Sequence, residues 1–276
     1  MTINSPLVSI IIPYFNGGET INETIDSIFN QTYSNFEIWI INDGSTNKNS
    51  TEKLKEFTTN SKINIIHQQN SGPSISRNNA IKKSNGKYIV FLDSDDIIEK
   101  KTIEISINVL ENNPPISIVY GNNRHFGTKN FIRTQKPLDI AELLVYNTIA
   151  ICCTIRKSVF EDGFYFDEYL SKKGLEDYEF WINLASNNFK FHYLNELFFN
   201  IRISDTSRTY QVANTNITEI KNYIFKKHAN FINSQYEKLF YKSKMQNESI
   251  NNKIGNLILY PYRQIKNMLL NIRNLR

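Results

Sequence analysis

Cysteine is almost missing from this chain. Its 276 residues hold two, Cys152 and Cys153, and the two are adjacent. Neighbouring cysteines rarely bridge, so neither a disulfide framework nor a zinc knuckle is supported. Their setting, Ala150-Ile-Cys-Cys-Thr-Ile155, reads as a reduced, buried strand. No apolar run approaches the ~18 residues of a membrane span. No basic region followed by a long apolar core opens the chain, so no secretory signal is expected and a cytoplasmic protein follows. No GxGxxG follows the first candidate strand and no GxxxxGK(S/T) appears anywhere, which leaves dinucleotide and P-loop readings unsupported. Internal repeats are absent as well.

What is present suits a folded protein. Hydrophobic residues make up 40% and charged residues 21%, enough for one large domain or one domain plus an appendage. Charge is unevenly spread. Residues 206–276 hold twelve Lys/Arg against three Glu, a net of +9 in a chain whose total is +5. From Lys253 onward there are five basic residues and no acid, which suits an anionic partner.

Strand and helix patterns alternate along the first hundred residues. Leu7-Val-Ser-Ile-Ile-Ile12, Phe36–Ile41, Ile63–Ile66 and Tyr88–Leu92 read as buried strands. Between them, Ile21, Ile25, Ile28 and Phe29 recur at helical spacing, Ser50–Phe57 reads as a polar helix, and Ser71-Gly-Pro-Ser opens a third. Such alternation predicts an α/β fold, a mostly parallel sheet with helices on both faces. Further on, the pattern predicts a helix near Glu99–Leu110 and a strand Ile116–Tyr120. An irregular stretch over 121–137, with hairpin character, comes next. A short helix Asp139–Tyr146, a strand Ala150–Ile155, a helix opening at Gly174, and strands Phe189–Tyr193 and Leu197–Ile201 complete the series. From about residue 213 the pattern is helical to the end.

The organising stretch is Tyr88-Ile-Val-Phe-Leu-Asp-Ser-Asp-Asp96, an apolar strand that ends in three carboxylates. Ligands of open α/β sheets bind just past such strand ends. On a continuing strand Asp93 and Asp95 would share one face. Hard oxygen donors there suit Mg2+ or Mn2+ shared with phosphate oxygens. A solvated acidic turn capping a helix from near Ile97 accounts for the triplet equally well. Three more clusters lie at strand ends: Pro13-Tyr-Phe-Asn-Gly17, Asn42-Asp-Gly-Ser-Thr46 and Leu175-Glu-Asp-Tyr-Glu179. Parallel strands would gather the first two and the acids at one sheet edge. Taken singly, Asn-Asp-Gly-Ser is a common turn, and acids at a helix start complement its dipole.

Together these words resemble the family 2 glycosyltransferases with their GT-A (Rossmann-like) fold. The resemblance is carried in order by Val8–Asn16, Gln31-Thr-Tyr33, Phe36-Glu-Ile38, Asn42–Thr46, Ser71–Ala80, Gly86–Asp96 and Glu176-Asp177. It spans roughly residues 6–205, giving a catalytic domain over 1–205 and a basic helical extension over 206–276. It implies a UDP-sugar donor, a Mn2+ or Mg2+ ion and transfer with inversion. Carried over, Pro13 and Asp43 would touch the base, with Tyr14, Asn16, Glu19 and Ser94 around the nucleotide. Arg77 would lie near the base or phosphates. Asp93 would meet the ribose or the metal's water shell, and Asp95 the metal itself. Asp177 matches the general base, with Glu176 beside it in the acceptor site. Many relatives carry a Tyr-Arg-x-His word where this chain has Ile201-Arg-Ile-Ser204, so the His is missing. Arg202 and Arg208 stand as diphosphate partners instead, and His192 and His228 as structural or surface residues.

The basic tail reads three ways: a helix packed on the domain, a membrane-surface helix, or a nucleic-acid contact, which no accompanying motif supports. The membrane-surface form ranks first, since no acid interrupts the basic face. Relatives of this kind imply an acceptor sugar on a lipid diphosphate at the cytoplasmic face of a bacterial inner membrane, in O-antigen or capsule synthesis. Glucose or galactose is the expected donor sugar. Two rivals remain at this point, a sugar-phosphate nucleotidyltransferase and a non-catalytic sugar- or lipid-binding protein on the same fold.

Overall fold

The computed structural model describes residues 5–204 and 217–245. Arg208 and the apolar-basic face of residues 253–276 lie outside that range. Among the described residues nine strands form one sheet: β1 (Val8–Tyr14), β2 (Phe36–Asp43), β3 (Ile63–Gln68), β4 (Tyr88–Phe91), β5 (Ile97–Ile98), β6 (Ile116–Gly127), β7 (Phe131–Arg133), β8 (Thr154–Arg156) and β9 (Lys190–Ile203). The described helices are α1 (Ile21–Phe29), α2 (Lys48–Glu56), α3 (Pro73–Lys83), α4 (Thr102–Asn112), α5 (Ile140–Leu143), α6 (Ser158–Glu161), α7 (Glu176–Ser186), α8 (Ile217–Lys227) and α9 (Ala229–Met245). No helix among the described residues is long and apolar enough to cross a membrane.

The sheet runs β3-β2-β1-β4-β8-β6-β9-β5, with β7 paired to β6. β3, β2, β1 and β4 are mutually parallel. The β-branched run of β1 is buried on both sides, as a central parallel strand should be. Val8, Ile10 and Ile12 pack with Ile21, Ile25 and Ile28 of α1 and with Leu54 of α2. Ile11 faces the other way, toward Ala80 and Ile81 of α3 and the aromatic residues of α7. The first two crossover helices therefore cover one face and the third covers the other. This reversal opens a crevice between the carboxyl ends of β1 and β4, where ligands of such sheets bind.

Beyond β4 the pairing turns mixed. β8 runs antiparallel to β4 and β6, while β9 lies parallel to β6 and antiparallel to β5. Residues 116–127 form one long strand where the sequence pattern predicts a short one, Ile116–Tyr120, and the hairpin character expected over 121–137 is met by its pairing with β7. Their polar Asn122 and Asn123 are buried, which masks the strand in a hydropathy pattern. β9 is likewise one strand, with irregularities opposite Tyr120 and Asn122 instead of a break. The expected strand Ala150–Ile155 shrinks to β8. Cys152 and Cys153 precede it, free and buried.

Candidate active site

Three loops meet at the crevice, and side-chain hydrogen bonds tie them together. After β1 the chain turns at Asn16, whose φ of 53° is left-handed. The Asn16 Oδ1 accepts from the Thr46 N–H (2.9 Å) and the Asn47 N–H (3.0 Å) of the loop after β2. The Thr20 hydroxyl donates to the Ser94 carbonyl (3.0 Å), joining the same turn to the acidic loop. Asn16 is thus a clamp between loops. Tyr14 is buried, and its hydroxyl donates to the Ser50 carbonyl (2.8 Å), so its ring packs in the core and does not line the crevice. Pro13 is half-buried at the strand end and Glu19 is exposed just before α1.

At the end of β2, Asp43 is buried and already well used. Its Oδ1 accepts from Gln68 Nε2 (2.8 Å) and the Ser71 N–H (2.7 Å), and its Oδ2 from the Gly72 N–H (2.8 Å). The expected contact with the base is left one lone pair on Oδ2. The visible role is to hold the Ser71-Gly-Pro entry to α3. Gly72 sits at φ 86°, and a Cβ there would come within 2.3 Å of the Ser171 carbonyl oxygen. Asn42, next to Asp43, meets His67 Nδ1 at 3.0 Å.

The strand carrying the acids stops at Phe91, so Asp93–Asp96 form a turn, closed by the Asp96 N–H donating to the Asp93 carbonyl (3.1 Å). The one-face geometry expected of a continuing strand does not apply, and each acid has its own surroundings. Asp93 is paired with Arg77 (2.9 Å). Asp96 is buried, accepts from the Arg202 N–H (2.8 Å) and lies near the Cys152 thiol. Burial, with Asp93 and Asp95 nearby, holds its carboxyl well above the usual carboxylate range. Asp95 is half-buried, and burial followed by repulsion from Asp93 pushes it up to about 6. Arg202 donates through Nε to the Asp95 carbonyl (3.0 Å), pairs with Glu23 of α1 (2.7 Å) and lies over the Phe126 ring. Its cation therefore braces the acidic turn from behind.

Arg77 links this turn to the other acidic cluster. It lies on α3, its side chain 4% exposed, with Nη2 on Asp93 and Nη1 on Glu176 of α7 (3.3 Å). Expected beside the base or phosphates, it instead bridges two carboxylates. Burial lowers its affinity for a proton, and the fields of Asp93, Glu176 and Asp177 outweigh that. The clusters of residues 93–96 and 176–177 therefore share one cation and one wall of the crevice. Leu175, at φ 60°, sets the entry to α7. Asp177 there accepts from Asn147 Nδ2 at Oδ2 (2.7 Å) and from the Tyr178 N–H at Oδ1 (2.8 Å). Burial, then the neighbouring Glu176, pushes it up to about 6, a value suited to a general base near neutral pH.

Asn147 is a site residue that no motif announces, because it sits in a loop far from the strand ends. His228 plays the structural part among the two expected: it is buried against Glu179 of α7 (2.7 Å), which also takes Lys227 (2.9 Å). These contacts fasten α7 to the end of α8. Among the described residues no group of three His, Cys, Asp or Glu could encage a metal. The donor set still fits a hard cation that brings its own partners. Among the described residues no ion pair engages the Asp95 carboxylate, although the Arg202 charge behind the turn favours its ionised form, and Asp93 stands beside it. The remaining oxygens would come from a diphosphate and water.

The family model described as Glycosyl transferase family 2 matches residues 9–171. An uncharacterized glycosyltransferase of Rickettsia prowazekii is 32% identical over 235 residues, covering 80% of this chain and 70% of that protein. The Escherichia coli enzyme WfgD, a UDP-Glc:alpha-D-GlcNAc-diphosphoundecaprenol beta-1,3-glucosyltransferase, is 34% identical over 188 residues, covering 66% of this chain and 71% of that one. An uncharacterized glycosyltransferase of Rickettsia bellii is 43% identical over 106 residues, but this chain spans only 15% of its length. Among solved structures, S. aureus TarS 1-349 in complex with UDP-GlcNAc superposes with a TM-score of 0.68 at 19% identity. The match covers 82% of this chain and 66% of that one, and it shows a shared fold.

Proposed function

Because this chain belongs to glycosyl transferase family 2, with the GT-A fold, we propose that it moves a hexose from a UDP-sugar, with inversion, onto a sugar borne by a lipid diphosphate. Glucose or galactose is the hexose favoured, and the diphosphoundecaprenol acceptor in WfgD's name supports the lipid-linked acceptor. The observation that carries the proposal is the Arg77 bridge, which sets the acidic turn and the Asp177 helix against a common crevice.

The roles proposed here are supported by that arrangement. We assign the donor's nucleotide to the carboxyl ends of β1 and β2, with Pro13, Asn16, Glu19 and the spare lone pair of Asp43 as the groups proposed to meet it. A divalent cation held by Asp95, with Asp93 nearby, would supply Lewis-acid neutralisation of the diphosphate. Asp177 receives the proton of the acceptor hydroxyl as that oxygen attacks the anomeric carbon. Each of its oxygens keeps a lone pair beyond the bonds from Asn147 and Tyr178. General base help of this kind is worth roughly 10^2–10^4 in rate. Glu176 raises the proton affinity of Asp177 by its negative field, and the Arg77 cation paired with it offsets part of that rise. The acceptor is reached at the cytoplasmic face of the membrane, aided by the basic extension over residues 206–276, as in O-antigen or capsule assembly.

The test is release of UDP from a panel of UDP-hexoses, with Mn2+ or Mg2+ and a synthetic lipid-diphosphate GlcNAc or GalNAc acceptor. Acceptor-dependent UDP release with one donor is the expected result. Release of pyrophosphate, or turnover unchanged by Asp177→Ala, would overturn the proposal.

A further inference from the structure

We propose that the β6–β7 hairpin is a docking surface for an anionic lipid membrane. Its turn is exposed throughout residues 127–132, and there Phe131 and Ile132 are 47% and 57% exposed. Phe131 stacks flat on His125 (4.5 Å between ring centres, 7° between planes), so its outer face is held toward solvent. Around these two apolar side chains lie the exposed Arg124, Lys129 and Lys136 and the half-buried Arg133. No acid occurs between residues 112 and 138. Glu99 lines the groove beside the hairpin, with Ile97, Arg124 and Phe126, and there it accepts a hydrogen bond from Asn200 (2.8 Å).

Large apolar side chains at a hairpin tip gain nothing in water. In a headgroup layer they are buried while the cations meet lipid phosphates. Each Lys or Arg near such a surface strengthens binding about fivefold. A second copy fits worse, because a two-fold contact through this hairpin would set like charges against each other. The position also suits a lipid-linked acceptor. Arg133 donates to the Asn147 carbonyl (3.0 Å), and Asn147 holds Asp177 (2.7 Å), so two hydrogen bonds separate the hairpin from the carboxylate that receives the acceptor proton. The docking measurement uses neither donor nor acceptor, so its failure leaves the transfer proposal untouched.

The full chain is floated with phosphatidylglycerol/phosphatidylcholine vesicles and with phosphatidylcholine alone, at about 0.1 M salt. Binding is expected to the anionic vesicles only and to fall as salt rises. Phe131→Ser/Ile132→Ser and Lys129→Glu/Lys136→Glu are each expected to weaken it at least about tenfold, with unchanged melting temperature. Since residues 253–276 are basic as well, a direct probe accompanies these: Phe131→Trp should shift its emission to the blue on anionic vesicles and be quenched by brominated lipid. Flotation of both double variants like the wild type, or a Trp signal indifferent to vesicles, overturns the proposal. So does a dimer in sedimentation velocity that Phe131→Ser/Ile132→Ser dissolves.

Discussion

Replacing Asn147 by Ala should move the acid limb of the pH–rate profile upward while leaving the alkaline plateau intact. The Asn147 amide donates to Asp177 Oδ2 at 2.7 Å and favours the charged carboxylate, against the burial and the Glu176 field that push it up to about 6. A hydrogen bond to a charged group is worth roughly 1.5–3 kcal/mol. At 1.36 kcal/mol per pH unit, its loss should raise the proton affinity of Asp177 by roughly one to two pH units. A base must be deprotonated to act, so the variant should lose roughly two- to tenfold in kcat/KM at pH 7 and little at pH 9. The assay is UDP release at acceptor well below KM over about pH 5 to 10, with a thermal melt as control, because Asn147 Oδ1 also accepts from the Ile149 N–H. An acid limb that stays in place, or an equal loss at pH 7 and pH 9, would refute the assignment of Asp177 as the titrating base.

Three further substitutions probe the same architecture. Asp95 is pushed up from 3.8 to about 6, so the folded protein binds an extra proton between about pH 4 and 6, and its stability declines as pH rises through that window. Asp95→Asn removes this penalty: in chelator at pH 7.5 it should melt higher, by at most roughly 3 kcal/mol and less after solvent screening. The gain should vanish near pH 4, and transfer should be lost. A lower melting point at pH 7.5 would contradict that account. Arg77→Ala removes the buried cation between Glu176 and the partly exposed Asp93 and leaves a void in its place, and should cost roughly 2–5 kcal/mol in urea unfolding. A cost under ~1 kcal/mol would show that the bridge is dispensable. Gly72→Ala drives a Cβ to within 2.3 Å of one backbone atom of Ser171 and 2.7 Å of another, at a positive φ. It should destabilise by at least ~2 kcal/mol and loosen the Asp43 clamp. A melting temperature equal to the wild type would sink that account.

Much of the fold was legible because its first half is built from strong local signals. β1, β2 and β4 are short, β-branched or aromatic, and bounded by turn residues, and α1 between the first two shows its apolar stripe. Parallel order then follows from short crossovers, and with it the meeting of Asn16, Asp43 and Asp93 at one edge. The second half was harder to see. β6 carries buried Asn122 and Asn123, so its periodicity looks like a loop, and β5 is two residues long. β5 exists because β9 supplies its backbone partner, and β6 because β9 and β8 flank it, interactions between residues far apart in the chain.

The same division holds within the site. From sequence alone came the residue types the chemistry needs: a carboxylate pair at a strand tip, acids at the start of a helix, and an Asp-Gly turn. Which of them face the crevice was decided by tertiary structure. Tyr14 turned inward to Ser50, and Asp43 was drawn onto the backbone of Ser71 and Gly72. Arg77 was buried between two acids, and Asn147 reached Asp177 from an unmarked loop. A sequence specifies which groups can ionise or donate. Their proton affinities and free lone pairs depend on burial and on neighbours brought in by packing, and those arise only when the chain closes on itself.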